Sequence, residues 1–538
     1  MNCYYVLRIN AIRYSAWVLL VFAIVASVSN AEEMFDEARC VTLFAFDNES
    51  IPFTQNLRLE MQTPERHVDN PVIARGKPGE PDAMGVQFYG SVIREKDKFR
   101  MWYVAYDDDI ANKVATERWR AAYAESDDGV HWIKPWLGLV EYKGNKNNNL
   151  ILTDPMPLGF VNLKVLADSE DSNPKRRYKI STHVYFRHNT RLGSLAPFVS
   201  EDGLTWKMLI DAKPKKAELK KEELALPAIH FEPCGGLYKW NGIYYICGQN
   251  AMNATQPYHG RVARTYRSSD FVNWSHTSNI AFVRDEQHTL LGAGRSLEGE
   301  QNHEGISVWN RRNVLLGIYG RWHGAKEWKD ITVDLGFLVS NDGLRFREPA
   351  HDRTFLKRGE DGMWDQGGVL QGQGFENVGD RTYIYYGAWD PRMRASPRGG
   401  VGIATLPRDR FGELVIEEAG KGAGDYQLPD IKSEFVTASV PAKANFVYRL
   451  YLNATGLESK SALKIELLDD LEQPIIAYAG ANAAIIRKNG FQTPIHWAGK
   501  EEIGDLPEQF KVRVTFEGED KTSIRFSAIY VRESKPKS

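Results

Sequence analysis

Ser126-Asp127-Asp128-Gly129-Val130-His131-Trp132 is the first of four copies of one pattern, Ser-x-Asp-x-x-x-aromatic, in a chain of 538 residues. The other copies begin at Ser200, Ser268 and Ser340. Their aspartates follow one another at 74, 68 and 72 residues, and a degenerate fifth copy, Asp409 with Phe411, comes 67 residues later. Units of this size suit the blades of a β-propeller, in which a four-stranded sheet is repeated around an axis. We therefore expect an all-β fold with a five-bladed β-propeller followed by a small C-terminal β-sandwich.

The rest of each unit has strand character. An apolar run, rich in tyrosine in most units, precedes each repeat aspartate, as in Phe99–Tyr103 and Thr382–Tyr386. Aromatic and β-branched runs bounded by Gly, Asn and Asp are typical of strands. In the third unit Asn241-Gly242 predicts a tight hairpin. That hairpin places Cys247 opposite Gly236, two residues out of register with Cys234.

The repeat motif itself has a structural explanation. Ser and Asp side chains bond backbone amides in turns, and an aromatic residue four positions on can pack between sheets. We expect these aspartates to hold turns and to do no chemistry.

The N-terminus predicts a secretory signal. Arg8 and Arg13 precede the apolar run 16–28, and Ser29-Asn30-Ala31 suits cleavage after Ala31. A run of 13 residues is shorter than the ~20 that span a bilayer. We expect a secreted or periplasmic protein without stable membrane insertion after cleavage; an uncleaved signal anchor is the alternative left open.

Charge excludes one class of partner. Lys+Arg number 68 and Asp+Glu 70, a net charge of −2, and both signs are interleaved. No basic footprint for nucleic acid is present. The lysine-rich stretch 213–221 fits a solvated loop.

Domain boundaries follow from these patterns. The expected parts are a signal peptide at 1–31, an N-terminal segment at 32–80 that packs beside the propeller or closes its first blade, the propeller at 81–418, and the β-sandwich at 427–538. The Gly-rich run 420–424 is the expected linker.

Candidate functional residues lie where the innermost strands begin, because these strands converge on the channel of a propeller. Glu232 is the candidate general acid: it precedes a Gly-Gly strand, and strand alternation puts it on one face with His230. Asp82 and Asp365 are candidates for a second catalytic carboxylate. The candidate substrate-binding residues are His230, His303, Glu304, Gln87, Asn162, Arg321, His323 and Trp364. For each, a structural role at a turn or between blades is the alternative.

The five units, the signal, Phe231-Glu-Pro-Cys-Gly-Gly236 and the trailing sandwich resemble the five-bladed propeller glycoside hydrolases of the invertase, levansucrase and arabinanase superfamily, especially secreted bacterial family thirty-two-like proteins. The resemblance implies an Asp from the first blade, an Asp from the second as transition-state stabiliser, and a Glu from the third as general acid. Glu232 matches the third role, although Pro and Cys follow it in swapped order. Asp82 lies just upstream of the first inner strand, whereas the second offers Asn162 and, later, Asp168.

The sequence leaves three functions open. The first is a secreted glycosidase acting on a plant, algal or microbial glycan by carboxylate chemistry. The others are a non-catalytic carbohydrate-binding propeller and a sialidase-like hydrolase. All three take a carbohydrate as partner. No motif calls for a cofactor, and a propeller channel has room for a structural divalent cation.

Overall fold

The computed structural model describes residues 40–107, 119–154, 156, 159–185, 195–209, 231–250, 260–284, 297–393, 398–417 and 431–535. Regular structure here is almost entirely β, and Val41 onward forms one compact unit. No helix within these ranges is long and apolar enough to cross a bilayer. The predicted signal 1–31, His230, the lysine-rich stretch and the 420–424 linker lie outside the described residues.

Five groups of antiparallel strands, called units one to five below, match the five sequence repeats in order. Unit one contains Gly85–Glu95, Lys98–Tyr106, Trp119–Ser126 and Trp132–Ile133. Unit two contains Gly159–Phe160, Lys164–Ala167, Tyr178–Tyr185, Leu195–Ser200 and Thr205–Met208, with Leu152–Asp154 paired parallel to the last. Unit three contains Glu232–Trp240, Ile243–Asn250, Val262–Ser268 and Asn279–Phe282.

Unit four contains Gly299–Asn310, Leu315–Gly324 and Thr332–Ser340. Unit five contains Val369–Val378, Arg381–Ala388, Val401–Pro407 and Glu65–Arg66, while Arg398–Gly399 pairs with the first strand of unit one. The expectation of four strands in every blade is wrong for unit four: its sheet has three among the described residues, and an isolated bridge between Val339 and Arg347 stands where a fourth would pair.

The first strands of the five units lie side by side. Each contacts the first strand of the next unit, and the first strands of units five and one meet at the pair Gln373 and Ser91. Buried aromatic residues fill the space between neighbouring sheets, as Trp102 and Trp206 do between units one and two. The predicted all-β fold of propeller plus sandwich is confirmed. The count of five blades stays a prediction that these five units support.

The segment before unit one contributes strands both to unit five and to the sandwich. Glu65 and Arg66 pair with Thr405 and Ala404, so they add an outer strand to unit five. Upstream of them, Cys40–Phe44, Phe53–Gln55 and Leu57–Met61 join the sheets of the sandwich. Within the described residues 40–80, the strands of this segment therefore pair with the last unit and the sandwich. Ala74 O accepts a hydrogen bond at 3.2 Å from Lys134, which follows the last strand of unit one.

Two sheets form the sandwich around one apolar core that includes Leu450, Ile465, Val514 and Phe526. The first sheet contains Leu57–Met61, Gly412–Ile416, Arg525–Ser534, Val447–Thr455 and Gly490–Pro494, with Cys40–Phe44 and Glu502–Ile503 alongside. The second contains Phe53–Gln55, Glu434–Val436, Gln509–Gly518, Ser461–Asp469 and Ala484–Ile486, with Val440–Pro441 alongside.

The Ser-x-Asp motifs are turns, as predicted. In the first copy the amide of Gly129 donates to Ser126 Oγ at 2.9 Å, and Asp128 Oδ1 accepts from the amides of Val130 and His131 at 2.8 Å. The copies at Ser200, Ser268 and Ser340 repeat this bonding. These aspartates are used as turn acceptors.

Asp409, in the degenerate fifth copy, binds side chains from two other parts of the chain. Asp409 is fully buried and has φ +60°. It accepts from Arg311 of unit four at 2.5 and 3.0 Å and from the hydroxyl of Tyr530 in the sandwich at 2.8 Å. Asp409 thus ties the propeller to the sandwich.

Candidate functional site

A register shift interrupts the first strand of four units at the same place. It begins at Gln87 in unit one, Glu232 in unit three, His303 in unit four and Gln371 in unit five. In unit two the strand is broken between Phe160 and Lys164, where Asn162 lies. Bulges bend a strand and re-aim its side chains. The polar residues that the sequence pattern singled out are therefore gathered by one repeated irregularity of the inner strands.

Three of these residues join neighbouring units through backbone carbonyls. Gln87 Nε2 donates to Val161 O at 3.1 Å, and Asn162 Nδ2 donates to Pro233 O at 2.9 Å. Gln371 Nε2 donates to the carbonyls of His303 and Gly305 at 2.7 and 3.0 Å. All three side chains are buried. Gln87 and Asn162, which the sequence predicts as substrate-binding residues, thus lie with Gln371 where they hold adjacent units together.

Glu232 and Glu304 are brought together by a third residue, Gln249. Gln249 Nε2 donates to Glu232 Oε2 at 2.5 Å and to Glu304 Oε1 at 3.0 Å. Because both bonds share one nitrogen, those two carboxylate oxygens are at most about 5.5 Å apart. Gln249 Oε1 also accepts from the amide of Glu304 at 2.9 Å. One buried amide therefore fixes the distance between two acids of different units.

Glu304 adopts an uncommon backbone conformation. Its φ is +60°, and Gly305 follows with φ +78°. A non-glycine residue in the left-handed region is strained, and such residues cluster at functional sites. A side chain on Gly305 would meet the Cα of Gly248 at 2.6 Å, so glycine is required for the two strands to approach. The bulge thus turns Glu304 toward Gln249, with only 8% of the residue exposed.

Aromatic rings and a guanidinium surround this pair. The His303 ring packs against Trp322 at 5.0 Å and Trp389 at 5.8 Å, and its Nε2 lies 3.1 Å from the hydroxyl of Tyr89. Arg261 lies 4.3 Å above the Trp322 ring. Burial lowers the pKa of Arg261, while the charges of Glu304 and Glu232 act to raise it. The cation of Arg261 therefore acts on both acids, and a packed aromatic cluster contains His303, the neighbour of Glu304 in the chain.

Lys164 fills the centre of the propeller. Its Nζ lies 3.4 Å from Gly90 O, 3.2 Å from Ser307 Oγ and 3.1 Å from Gln371 O, which belong to units one, four and five. Lys164 itself belongs to unit two, so its amine lies where these units converge on the axis. Burial lowers the pKa of Lys164 to about 7.

Asp82 and Asp365 occupy equivalent positions in two copies of one motif, Gly-x-x-Gly-x-x-Asp-x-x-Gly-Val, which begin at residues 76 and 359. Asp82 accepts from the Tyr103 hydroxyl at 2.8 Å and pairs with Lys134 at 2.6 Å. Asp365 accepts from the Tyr386 hydroxyl at 3.1 Å and pairs with Arg66 at 2.8 Å. Both acids are at most 1% exposed.

The close packing of these two acids is repeated as well. A side chain on Gly76 or Gly359 would meet Oδ1 of the local aspartate at 2.2 or 2.1 Å. Asp82 and Asp365 thus anchor the entry to their inner strands, each against a glycine, a tyrosine and a cation. Their predicted catalytic role remains a prediction.

Three further candidates lie in packed or charged surroundings. Arg321 pairs with Asp352 at 2.6 Å, and Trp364 packs on Tyr386 with ring centroids 5.5 Å apart. His323 lies between Glu300 at 2.7 Å and Asp334 at 3.0 Å. Burial alone would lower the pKa of His323, but hydrogen bonds with Asp334 and Glu300 outweigh it and raise the pKa to about 9.

Asp168, the acid of the second inner strand, is bound at 3.0 Å by Lys239 and at 2.9 Å by Lys179. Burial would raise the pKa of Asp168, but hydrogen bonds from Tyr244 and these two lysines lower it to about 2. Its carboxylate oxygens are bound by one lysine of unit two and one of unit three. It is an anchor between these sheets.

Two residues of the site carried no sequence signal that singled them out, Gln249 and Arg261. Gln249 ends a Tyr-rich strand, and its position opposite Glu232 depends on the bulge. No group of three or more His, Cys, Asp or Glu side chains among the described residues could hold a metal ion. The divalent cation of the channel stays a prediction.

Three solved structures align with about two thirds of this chain at low identity and with TM-scores below 0.5. One, described as the GH130 family of mannoside phosphorylases containing glycoside hydrolases that target β-1,2 mannosidic linkages in Candida mannan, is 17% identical over 65% of this chain and 95% of its own, with a TM-score of 0.42. A glycosyl hydrolase from Bacteroides ovatus is 17% identical over 65% and 95%, with a TM-score of 0.41. An N-acetylgalactosamine deacetylase from F. plautii is 13% identical over 66% and 97%, with a TM-score of 0.40.

No family model matches the chain, and no curated protein matches it. We therefore draw the function of this chain from its own residues.

Proposed function

We propose that this protein is a secreted or periplasmic glycoside hydrolase whose reacting groups are Glu232 and Glu304. The observation that carries the proposal is the single amide of Gln249 that bonds both carboxylates. Glycoside hydrolysis uses a pair of carboxyl groups on either side of the scissile bond. Glu232, the more exposed of the two, is the general acid, as its place in the third unit suggests. Glu304 is its partner.

The separation of the pair agrees with one of the two hydrolytic geometries. Carboxyl groups ~5–5.5 Å apart belong to retaining enzymes, and ~6.5–9.5 Å to inverting ones. The upper limit of about 5.5 Å between Glu232 Oε2 and Glu304 Oε1 agrees with retention. In that mechanism Glu304 attacks the anomeric carbon while Glu232 protonates the leaving oxygen, and Glu232 then takes a proton from the water that releases the sugar. Trp389 and Arg261, which are both partly exposed, would border the sugar.

The test is a screen of the secreted protein against a panel of plant, algal and microbial glycans, with detection of released sugar. The proposal expects release from at least one glycan, and none by a Glu232→Gln variant with an unchanged melting temperature. Glu201→Gln is the matched control, because Glu201 is an exposed turn residue of unit two. Binding of a glycan without release of sugar by the wild type would replace the proposal with a carbohydrate-binding propeller.

A further inference from the structure

A second cleft lies away from the carboxylate pair, where the propeller meets the sandwich. We call it the junction cleft; its volume is about 740 Å³. One wall comes from strand Leu57–Met61, and another from the connection that contains Ala350 and Arg353 between units four and five. The ends of sandwich strands at Thr455 and Arg525 complete it. Its size is that of a site for a small ligand, and neither Glu232 nor Glu304 lines it.

Charge in the junction cleft is unbalanced. Four arginines line it, Arg58, Arg353, Arg410 and Arg525, against two acids, Glu60 and Glu413. Both acids already have cationic partners. Arg525 Nη1 lies 2.6 Å from Glu60 and 3.3 Å from Glu413, and Arg58 Nη2 lies 2.5 Å from Glu60. The hydrogen bond from Arg525 is the largest influence on Glu60 and lowers its pKa, so this acid is ionised at neutral pH.

The other two arginines meet only neutral acceptors among the described residues. Arg353 Nη2 donates to Thr63 Oγ1 at 3.1 Å, and Arg410 Nε donates to Asn453 Oδ1 at 2.9 Å. Neither forms an ion pair within the described part of the chain. Burial lowers the pKa of Arg410, and the nearby charge of Glu413 offsets this only in part, so holding the charge of Arg410 in the cleft has a cost. An anion bound in the cleft would offset that cost, and guanidinium groups bind planar or tetrahedral oxyanions in bidentate fashion.

The other residues that line the cleft suit a ring that makes both apolar contacts and hydrogen bonds. Met61 and Pro407 present apolar surface, while Gln62 and Thr455 present amide and hydroxyl groups. We propose that the junction cleft binds a sugar unit that carries an oxyanion, either a carboxylate or a sulfate ester, between Arg353 and Arg410. That the ligand is a sugar rests on the proposed function; that it is anionic rests on the two arginines.

The test is calorimetric binding to the full chain carrying Glu232→Gln, so that turnover does not consume the ligand. Three trisaccharides serve as probes: one of galacturonic acid, one of sulfated galactose and one of neutral galactose. The proposal expects at least one anionic trisaccharide to bind about tenfold or more tightly than the neutral one, with the difference shrinking as salt is added. Which of the two binds tells carboxylate from sulfate.

Arg353→Gln and Arg410→Gln should each weaken that binding about tenfold. Arg345→Gln, which removes one exposed charge outside the cleft, should leave it unchanged. Equal binding of the neutral probe, no binding of either anionic probe, or unchanged affinity in both cleft variants would overturn the proposal. The two proposals fail separately: a wild type that releases no sugar but shows arginine-dependent binding loses only the hydrolase, and an active wild type without such binding loses only the cleft.

Discussion

Glu232 and Glu304 accept hydrogen bonds from the same nitrogen, Nε2 of Gln249. The two acids are 72 residues apart in the chain and belong to neighbouring units. Their separation is therefore set by how units three and four pack. Any hydrolysis that depends on both acids should be sensitive to each of them and to their spacing.

The first prediction concerns Glu304 itself. Glu304→Gln keeps the shape and the bond from Gln249 but removes the nucleophile, so we expect turnover to fall about 10²–10⁴-fold or more. The melting temperature should change little, because the backbone at Glu304 is held by Gly305 and Gln249. Turnover and thermal unfolding on the same preparation check this. Wild-type turnover in the variant would remove Glu304 from the reaction.

The second prediction concerns the stereochemistry of the product. The two carboxylate oxygens that Gln249 binds are at most about 5.5 Å apart, which agrees with the spacing of retaining enzymes. We expect the anomeric configuration of the released sugar to be retained. Proton NMR recorded during the first turnover, before mutarotation, reads the configuration directly. An inverted product would show that a more distant acid is the partner of Glu232.

A third prediction separates anchoring from catalysis at Asp365. Asp365→Asn leaves the guanidinium of Arg66 without its carboxylate and weakens the bond from Tyr386. We expect a loss of about 2 kcal/mol or more in the free energy of unfolding, with turnover per folded molecule unchanged. Urea unfolding and activity assays measure the two effects, with exposed Glu360→Gln as the control in the same loop. Lost turnover with an unchanged free energy of unfolding would restore Asp365 as a catalytic acid.

The sequence predicted the units and the ring of polar residues because the repeat spacing and the inner strands are local patterns. It also predicted that Gly236 pairs with Cys247, which the register confirms; Cys234 and Cys247 are free. The partner of Glu232 could not be predicted in the same way. A regular ladder from the Asn-Gly turn would place Glu232 opposite residue 251, and the bulge shifts it to Gln249.

The anchoring role of Asp82 and Asp365 did have a signal in the sequence, namely the motif repeated at residues 76 and 359. That motif occurs only twice, whereas the Ser-x-Asp pattern recurs four times and dominates the repeat. The position of Lys164 depends on convergence of units one, two, four and five at the axis. No pattern within one unit reports such convergence.

The fourth prediction is a pH dependence of stability from His323. Its pKa is about 9 in the folded protein and ~6.5 when unfolded, so between these values the native state binds more protons. Its contribution is therefore full below pH ~6.5 and is lost as pH rises toward about 9. We expect His323→Gln to destabilise the protein at pH 6 and to have a smaller effect at pH 9.5. Urea unfolding at both pH values checks this, and an equal effect at both would show that folding does not raise the pKa of His323.

Lys164 should show the opposite slope, which is the last prediction. Its pKa is about 7 in the folded protein against the ordinary value of 10.5, so between these values the unfolded state binds more protons and stability rises with pH. In Lys164→Met this slope is absent, while the acceptors Gly90 O and Gln371 O lose their donor.

At pH 9.5 the neutral amine still donates, and we expect the methionine variant to be less stable than wild type by about 1–3 kcal/mol. At pH 6 the wild type must bury an ammonium, so the deficit should shrink or reverse. Free energies of unfolding of the two proteins at both pH values decide the matter, and a deficit that grows as pH falls would show that the channel stabilises the charged form.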